Sequence, residues 1–299
     1  MMRMKHSLIA LVLAAGCASA PRPAVRSVGF AVGDAGRAER FLTGGLSFAP
    51  DDGGGALRLG TERLRLLARP GGAGRALPAD SRSNDLWFEH VAIVVSDMDQ
   101  AHARLRELGV TPISAEPQTI PASNPAAAGI RAFYFQDADG HPLELIWSPR
   151  GKGAPRGQAH DRLFLGIDHT AIAVASTEKS LAFYRDLLGL RVAGGSLNEG
   201  IEQERLSGVE GARVRITGLR AGSGPGVELL EDLSPGPGRP APADTSPREL
   251  WYWEISIGVH GLSGLADRLR AAGVVVAAER GELVVRDPDG HHIRLVEEG

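Results

Sequence analysis

The sequence repeats itself over a long distance, and this repeat constrains the fold more than any single motif. The segment GRALPADSRSNDLWFEHVAIVV (74–95) aligns with GRPAPADTSPRELWYWEISIGV (238–259), so that Trp87 corresponds to Trp251. Later in each copy, DADGHPLELIW begins at residue 137 and DPDGHHIRLVE at residue 287. Repetition of whole supersecondary units indicates a duplicated domain. Within it, we interpret the two tryptophans as duplicated packing residues.

Each copy divides again into two smaller units. The alternation typical of a strand occurs four times, at residues 27–32, 90–95, 169–174 and 254–259. Apolar stripes that end at Gly109, Gly189 and Gly273 predict a helix after each of the last three strands. After the first strand, only GRAERFL (36–42) is a candidate helix.

The repeat predicts four regions. They are residues 1–24 with an export signal and a short linker, a first domain at 25–149, a linker at 150–162 and a second domain at 163–299. A chain of 299 residues, of which 43% are hydrophobic and 23% charged, is long enough for two such cores. The net charge of -3 provides no basic surface for nucleic acid. We therefore expect a small-molecule ligand or substrate and no nucleic-acid partner.

The first twenty residues, MMRMKHSLIALVLAAGCASA, predict export from the cytoplasm. A basic start precedes an apolar run that is too short to span a membrane. LAAGC resembles a bacterial lipoprotein signal, which implies that a lipidated Cys17 becomes the mature N-terminus and attaches the protein to a membrane of the cell envelope. Cleavage after Ala20, which would leave a periplasmic protein, is the alternative. Cys17 is the only cysteine, so no intramolecular disulfide can form.

Three features of the sequence resemble the vicinal oxygen chelate superfamily. They are the order of strand, helix and further strands, which occurs four times, the segment HTAIAV…SLAFYRDLLGLRV, and the D-x-D-G-H turn before the last strand of each copy. Glyoxalase I, extradiol dioxygenases and the bleomycin- and fosfomycin-resistance proteins belong to this superfamily. The resemblance covers residues 25–299 and implies an α+β fold of tandem domains. Each domain would consist of two paired βαβββ modules that form a cup-shaped mixed sheet with helices outside. Small residues along one face of every opening strand fit such a cup.

The resemblance also implies where metal ligands lie: at the first residue of each opening strand and at one residue of each closing strand. These positions hold Ser27, Arg65, His90 and Glu144 in the first domain and His169, Glu228, Glu254 and Arg294 in the second. In contrast, we interpret His141 and His291 as structural residues of the D-x-D-G-H turns.

The two domains differ in their capacity to bind a metal. In the first, only His90 and Glu144 are suitable donors, so we interpret them as a vestigial site. In the second, His169, Glu228 and Glu254 predict a site for a divalent Zn, Ni, Co, Mn or Fe ion. The alternative is a metal-free ion-pair cluster in which Arg294 bridges both glutamates.

The implied chemistry is that of a metal ion chelated by two oxygens of a small substrate. Glu254 would then act as general base and Arg294 would hold an anionic substrate group, in a lyase, isomerase or dioxygenase reaction. A metal-free protein that binds a small molecule, for sequestration or resistance, is the alternative from another functional class. The sequence has no phosphate-binding loop, and its one cysteine lies in the export signal, which excludes a Cys-His nucleophile.

Overall fold

The protein, seen in a computed structural model, consists of four modules of a strand, a helix and further strands. The structure describes residues 21–51, 55–68, 71–72, 74–153 and 155–298. Module 1 contains β1 (Ala24–Ala31), α1 (Ala35–Arg40) with a π-helical turn (Phe41–Gly45), β2 (Ala49–Pro50), β3 (Ala56–Leu59) and β4 (Glu62–Leu67). Module 2 contains β5 (Glu89–Val95), α2 (Met98–Leu108), β6 (Thr111–Pro112), β7 (Gln118–Thr119), β8 (Arg131–Gln136) and β9 (Pro142–Trp147).

The second half of the chain repeats this order after a 3-10 turn at Pro155–Gln158. Module 3 contains β10 (Phe164–Ala173), α3 (Thr177–Leu181) with a π-helical turn (Ala182–Leu187), β11 (Arg191–Asn198), α4 (Ile201–Ser207), β12 (Arg213–Arg220) and β13 (Gly226–Ser234). Module 4 contains β14 (Trp253–Val259), α5 (Leu262–Ala271), β15 (Val276–Glu279), β16 (Glu282–Arg286) and β17 (His292–Glu297).

The helices of modules 2, 3 and 4 that follow the opening strands are each followed by the predicted glycine, whereas α4 was not predicted. In α2, the Asp97 side chain accepts a hydrogen bond from the Gln100 amide at the N-terminus, and Gly109 closes the helix with a φ of 67°. Gly189 and Gly273 also have positive φ values, so these glycines follow their helices in the backbone conformation that glycine adopts most easily.

The strands form two mixed sheets, each built from two modules. Sheet I has eight strands in the order β15-β16-β17-β14-β1-β4-β3-β2 and joins module 1 to module 4. Sheet II has nine strands, β11-β12-β13-β10-β5-β9-β8-β6 with β7 beside β8, and joins module 2 to module 3. The predicted fold class, an α+β fold with paired βαβββ modules in mixed sheets, is confirmed.

The predicted partnership of the modules is wrong. The repeat suggested one cup within residues 25–149 and another within 163–299, but β1 pairs antiparallel with β14 and β5 pairs antiparallel with β10. Each sheet therefore combines one module from each copy. Alternation along a strand shows which face is buried, but it does not show which neighbouring strand completes the hydrogen bonds.

Modules that are consecutive in the sequence share a hydrophobic core instead of a sheet. Val28 and Phe30 of module 1 pack in one core with Val91 and Ile93 of module 2. Modules 3 and 4 share a second core that includes Ile172 and Ile255 together with further side chains of both modules. Each copy of the repeat thus supplies most of one core, with Trp253 of module 4 packing in the first and Val25 of module 1 in the second, and hydrogen bonding within both sheets joins the copies.

The repeated D-x-D-G-H turn connects the two sheets. Asp137 Oδ1 accepts hydrogen bonds of 2.9 Å from the amides of Asp139 and His141, and Asp137 Oδ2 lies 2.9 Å from Nδ1 of His141. Asp139 of sheet II then accepts a hydrogen bond of 2.8 Å from the amide of Gly33 in module 1. The turn at residues 287–291 has the same internal bonds and binds Ala175 through Asp289. Both turn histidines therefore have the structural role that the sequence predicts.

The segments before β5 and β14 bind each other reciprocally. The guanidinium of Arg239 lies 4.8 Å from the ring centre of Trp87, and that of Arg75 lies 4.9 Å from Trp251. The two indole N–H groups donate to Ser81 and Thr245, and both rings are more than nine-tenths buried. The prediction that these tryptophans are packing residues fits this arrangement.

The predicted export signal and Cys17 lie in residues 1–20, outside the described residues. Within the described part of the chain, no helix is both long and apolar enough to cross a membrane.

Candidate metal centre

Four candidate donors lie on one face of sheet II, on the four adjacent strands β13, β10, β5 and β9. His90 of β5 faces Ala171 of β10 in the antiparallel register, and His169 of β10 faces Ala92 of β5. Glu144 of β9 is also opposite Ala92, and Glu228 of β13 is opposite Ala171. Because alanines occupy the positions between the donors, the larger side chains can converge over the centre of the sheet.

The ligand atoms of His90, Glu144 and His169 lie close together. Glu144 Oε2 is 3.0 Å from His90 Nε2 and 3.3 Å from His169 Nε2. One ligand atom from each of the three residues lies within 4.8 Å of the other two, and all three side chains are buried. This group could hold a metal ion.

Glu228 extends this group toward the solvent. Its Oε2 atom lies 3.5 Å from His169 Nε2, and its side chain is 26% exposed, whereas those of Glu144 and His169 are 6% and 4% exposed. Glu228 is therefore the most accessible of the four donors and the one best placed to touch a bound molecule.

The electrostatics of the group favour a cation. Burial alone would raise the pKa of Glu144, but hydrogen bonds with His169 and His90 outweigh burial and lower the pKa to about 2. Burial would lower the pKa of His169, but the negative charge of Glu228 and hydrogen bonds with Asp168 and Glu144 raise it well above its usual value. Glu144 is thus ionised, and the protonated His169 supplies the positive charge beside it. A metal ion could supply this positive charge in place of the proton.

The chemistry of these donors fits a divalent transition metal. Two imidazole nitrogens with one or two carboxylate oxygens match the ligand sets of Zn and of non-haem Fe, Co, Ni and Mn sites. Hard ions such as Mg²⁺ and Ca²⁺ prefer oxygen ligands alone and are a poorer match.

A cavity of about 370 Å³ opens above the donors. Its walls include the glycines 194, 195 and 218 of β11 and β12 and several alanines, so the strands opposite the donors occupy little of the space. Tyr134, Ser196, Asn198 and Arg220 contribute polar groups to the lining. A cavity of this size and composition can enclose a small molecule over the candidate centre.

Sheet I carries no comparable group among the described residues. Arg294 donates hydrogen bonds of 2.8 Å to both carboxylate oxygens of Glu254 and one of 2.9 Å to Glu282. Tyr252 donates a further bond of 3.0 Å to Glu254, and Arg65 lies 3.7 Å from the same carboxylate. Of the four superfamily positions in this sheet, which are Ser27, Arg65, Glu254 and Arg294, the last three form an ion-pair cluster around Glu254.

The predicted ligand set is corrected at its third member. The structure brings His169 and Glu228 together, but it places Glu254 on the other sheet and saturates its carboxylate with Arg294. Glu254 was also predicted to act as a base and Arg294 to bind an anion. Both roles are corrected, because the two side chains pair with each other on sheet I. His90 and Glu144, predicted to be vestigial, are instead the direct neighbours of His169.

Sequence reasoning identified every donor and grouped the donors by their proximity in the sequence. The structure pairs module 2 with module 3. The superfamily positions of these two modules are then His90, Glu144, His169 and Glu228. Tyr134, Asp168 and Arg220 were missed entirely. The position of Asp168, next to the candidate ligand His169, was the one available signal.

The comparisons with known proteins agree with this fold. The model of the Glyoxalase/Bleomycin resistance protein/Dioxygenase superfamily matches residues 166–295. The crystal structure of glyoxalase I from Zea mays has 16% sequence identity and a TM-score of 0.59 over 92% of each chain, and a mutant of the same enzyme has a TM-score of 0.61. A putative dioxygenase from Bacillus subtilis subsp. subtilis str. 168 has 13% identity and a TM-score of 0.54 over 93% of this chain and 86% of that chain.

The sequence has no significant match among curated proteins. At 13% and 16% identity, the structural similarities establish the fold and leave the activity open. Residues 166–295 therefore match the Glyoxalase/Bleomycin resistance protein/Dioxygenase superfamily by sequence, and 92% of the chain shares the fold of glyoxalase I.

Proposed function

We propose that the chain is a metal-dependent enzyme whose active site lies on sheet II and uses His90, Glu144, His169 and Glu228. The observation that carries this proposal is the convergence of three buried ligand atoms within 4.8 Å of one another, two of them from residues that line a cavity, Glu144 and His169. Buried ionisable groups are costly unless they are paired or bind a metal, and they cluster at functional sites.

A bound divalent ion would polarise two substrate oxygens and stabilise the negative charge that develops on them. Glu144, held between both histidines, stays ionised and serves as a fixed ligand. Glu228 is exposed to the cavity and is the candidate general base, because its carboxylate can accept a proton from a molecule above the donors.

The substrate is a small molecule with two neighbouring oxygens and a mainly apolar body. The cavity volume of about 370 Å³ limits its size, and the glycine and alanine walls leave no charged group along most of the surface. We favour isomerase or lyase chemistry over dioxygenase chemistry because a second carboxylate, Glu228, is available for proton transfer. The fold is shared with both glyoxalase I and a putative dioxygenase, so this preference rests on Glu228 and not on the fold.

Elemental analysis of the purified protein tests the proposal. We expect about one divalent transition-metal ion per chain in the wild type and a loss of that ion in Glu144→Gln, which keeps the side-chain shape and removes the charge. Glu254→Gln is the matched control and should retain the metal, because Glu254 lies in the ion-pair cluster of sheet I. Metal that is lost in Glu254→Gln and retained in Glu144→Gln would refute the assignment.

A metal-free binding protein is the second candidate. It is favoured by the hydrogen bonds among His90, Glu144 and His169, which pair these groups with one another without an ion. A wild-type protein that binds no Zn, Co, Ni, Mn or Fe at any added concentration would support this candidate and exclude the enzyme proposal.

We further propose that the protein is exported and anchored through a lipid on Cys17. This part rests on the sequence LAAGC and on the apolar run before it. An exported location argues for a substrate that is present in the cell envelope.

A further inference from the structure

The two ring nitrogens of His169 have different partners, and the one that faces away from Glu144 contacts Asp168. The Nδ1 atom lies 3.1 Å from Asp168 Oδ2, while the Nε2 atom lies near Glu144 and Glu228. A histidine that donates one ring N–H to a carboxylate presents the unprotonated second nitrogen to a metal. The bond to Asp168 therefore selects the tautomer that a metal site needs.

An irregularity in β10 allows two consecutive side chains to meet. Neighbouring residues of a regular strand point to opposite faces of the sheet, so Asp168 and His169 would normally be separated. The register of β10 against β5 shifts between Ile167 and His169, which places Asp168 at the irregular position. Bulges of this kind redirect a side chain and occur often beside functional sites.

Arg220 fixes the carboxylate of Asp168. Its Nη1 donates a hydrogen bond of 2.7 Å to the Asp168 carbonyl, and its Nη2 donates one of 3.0 Å to Asp168 Oδ2. The same carboxylate oxygen thus accepts hydrogen bonds from the arginine and the histidine.

Gly226 makes room for Arg220. It is opposite His169 in the register of β10 and β13, and a Cβ atom at this position would lie 2.6 Å from Arg220 Nη1 and 2.9 Å from its Cζ. Any larger residue would push the guanidinium away from Asp168. The glycine, the arginine and the aspartate therefore form one support behind His169.

The other histidine of the centre has no such support. His90 Nδ1 is buried and has no hydrogen-bond partner among the described residues. The preceding residue, Glu89, accepts a hydrogen bond from Thr170 instead. This asymmetry makes the support of His169 specific and not a general property of the fold.

We propose that Asp168 and Arg220 are positioning residues that hold His169 in the orientation and tautomer required for metal binding, a role that rests on the metal centre proposed above. Loss of such an outer partner typically weakens metal affinity by about 10-fold to 100-fold. Asp168 acts directly on the His169 ring, and Arg220 acts through Asp168, so we expect the larger effect at Asp168.

Cobalt binding tests this inference, with affinity measured by competition with a chelator and coordination followed in the visible spectrum of bound Co²⁺. Asp168→Ala should bind Co²⁺ about 10-fold to 100-fold more weakly than the wild type and show shifted absorption bands. Asp168→Asn, which keeps an acceptor oxygen, should recover part of the affinity. Arg220→Gln and Gly226→Ala should give the same spectral change with a smaller loss.

The control is Arg215→Gln. Arg215 lies on β12, as Arg220 does, but its guanidinium pairs with Glu231 and not with Asp168. This variant should match the wild type. If the Asp168 variant does not fold, Gly226→Ala carries the test, since it displaces Arg220 without removing a polar group. Unchanged affinity and spectrum in the folded variants would overturn the inference and leave the metal centre intact, whereas a wild type that binds no Co²⁺ would overturn both.

Discussion

Glu144 and His169 belong to different copies of the repeated sequence, yet Glu144 Oε2 lies 3.3 Å from His169 Nε2. The candidate metal centre therefore needs both copies. We expect His90→Gln, in the first copy, to weaken metal binding by about 100-fold or more, because the loss of a ligand exceeds the loss of an outer partner. Titration with Zn²⁺ measures the effect.

His102→Gln is the control for this prediction. His102 also lies in the first copy, but it belongs to α2, packs against Phe133 and is not among the donors. Its substitution should leave the Zn²⁺ affinity unchanged. Full affinity in His90→Gln would place the ion elsewhere.

The ion-pair cluster of sheet I should contribute stability and no metal binding. Arg294→Met would leave the Glu254 carboxylate, which is 2% exposed, with Tyr252 and the distant Arg65 as its partners. Breaking one side of a buried ion pair costs about 3 kcal/mol, so the free energy of unfolding measured with denaturant should fall by roughly this amount.

Arg270→Met offers a comparison for the cluster, because Arg270 and its partner Asp267 are both mostly exposed. This control should change the free energy of unfolding by about 0.5 kcal/mol or less. Equal effects of the two substitutions, or a loss of metal in Arg294→Met, would contradict the role assigned to sheet I.

The turn at residues 287–291 predicts a specific pH dependence of stability. Burial would lower the pKa of His291, but Asp287, with Glu89 and Asp289 nearby, raises it to about 9 from the ordinary value of 6.5. A histidine whose pKa is higher in the folded state stabilises that state fully below pH 6.5, and this contribution is lost as the pH rises through 9.

The wild type should therefore exceed His291→Gln in free energy of unfolding by about 2 to 3 kcal/mol near pH 6, and the difference should shrink toward pH 9. Denaturant unfolding of both proteins in the presence of a metal chelator measures this difference. A gap that stays constant from pH 6 to pH 9 would show that the charge of His291 does not contribute.

Cys17→Ser tests the membrane anchor. The wild type should partition with the membrane fraction of the cell envelope, and the variant should be released into the soluble envelope fraction because the lipid attachment site is lost. A wild-type protein that is itself soluble and begins near Pro21 would show ordinary signal cleavage instead.

The sequence predicts individual elements well because local patterns carry the necessary information. Helix α2 ends at Gly109, and Glu144 and Glu228 lie on the predicted closing strands. The pairing of β5 with β10 could not be predicted from alternation, since any buried strand offers the same backbone hydrogen bonds to several partners. This one uncertainty produced the wrong grouping of the ligands.

The contact between Asp168 and His169 was missed for a related reason. In a regular strand Asp168 would point away from His169, and only the register shift in β10 brings their side chains together. Such shifts depend on the partner strands, which the sequence of β10 does not identify.

The strand order also determines when each sheet can form during synthesis. All strands of sheet II lie between residues 89 and 234, whereas sheet I joins residues 24–67 to residues 253–297. Sheet II can therefore form, with His90, Glu144, His169 and Glu228 in place, before module 4 has been made. The β1–β14 pairing must close a loop that contains most of the chain, which carries an entropic cost and slows folding. The strands of the candidate catalytic half are thus all synthesised before β14, and sheet I can close only after β14 has been made.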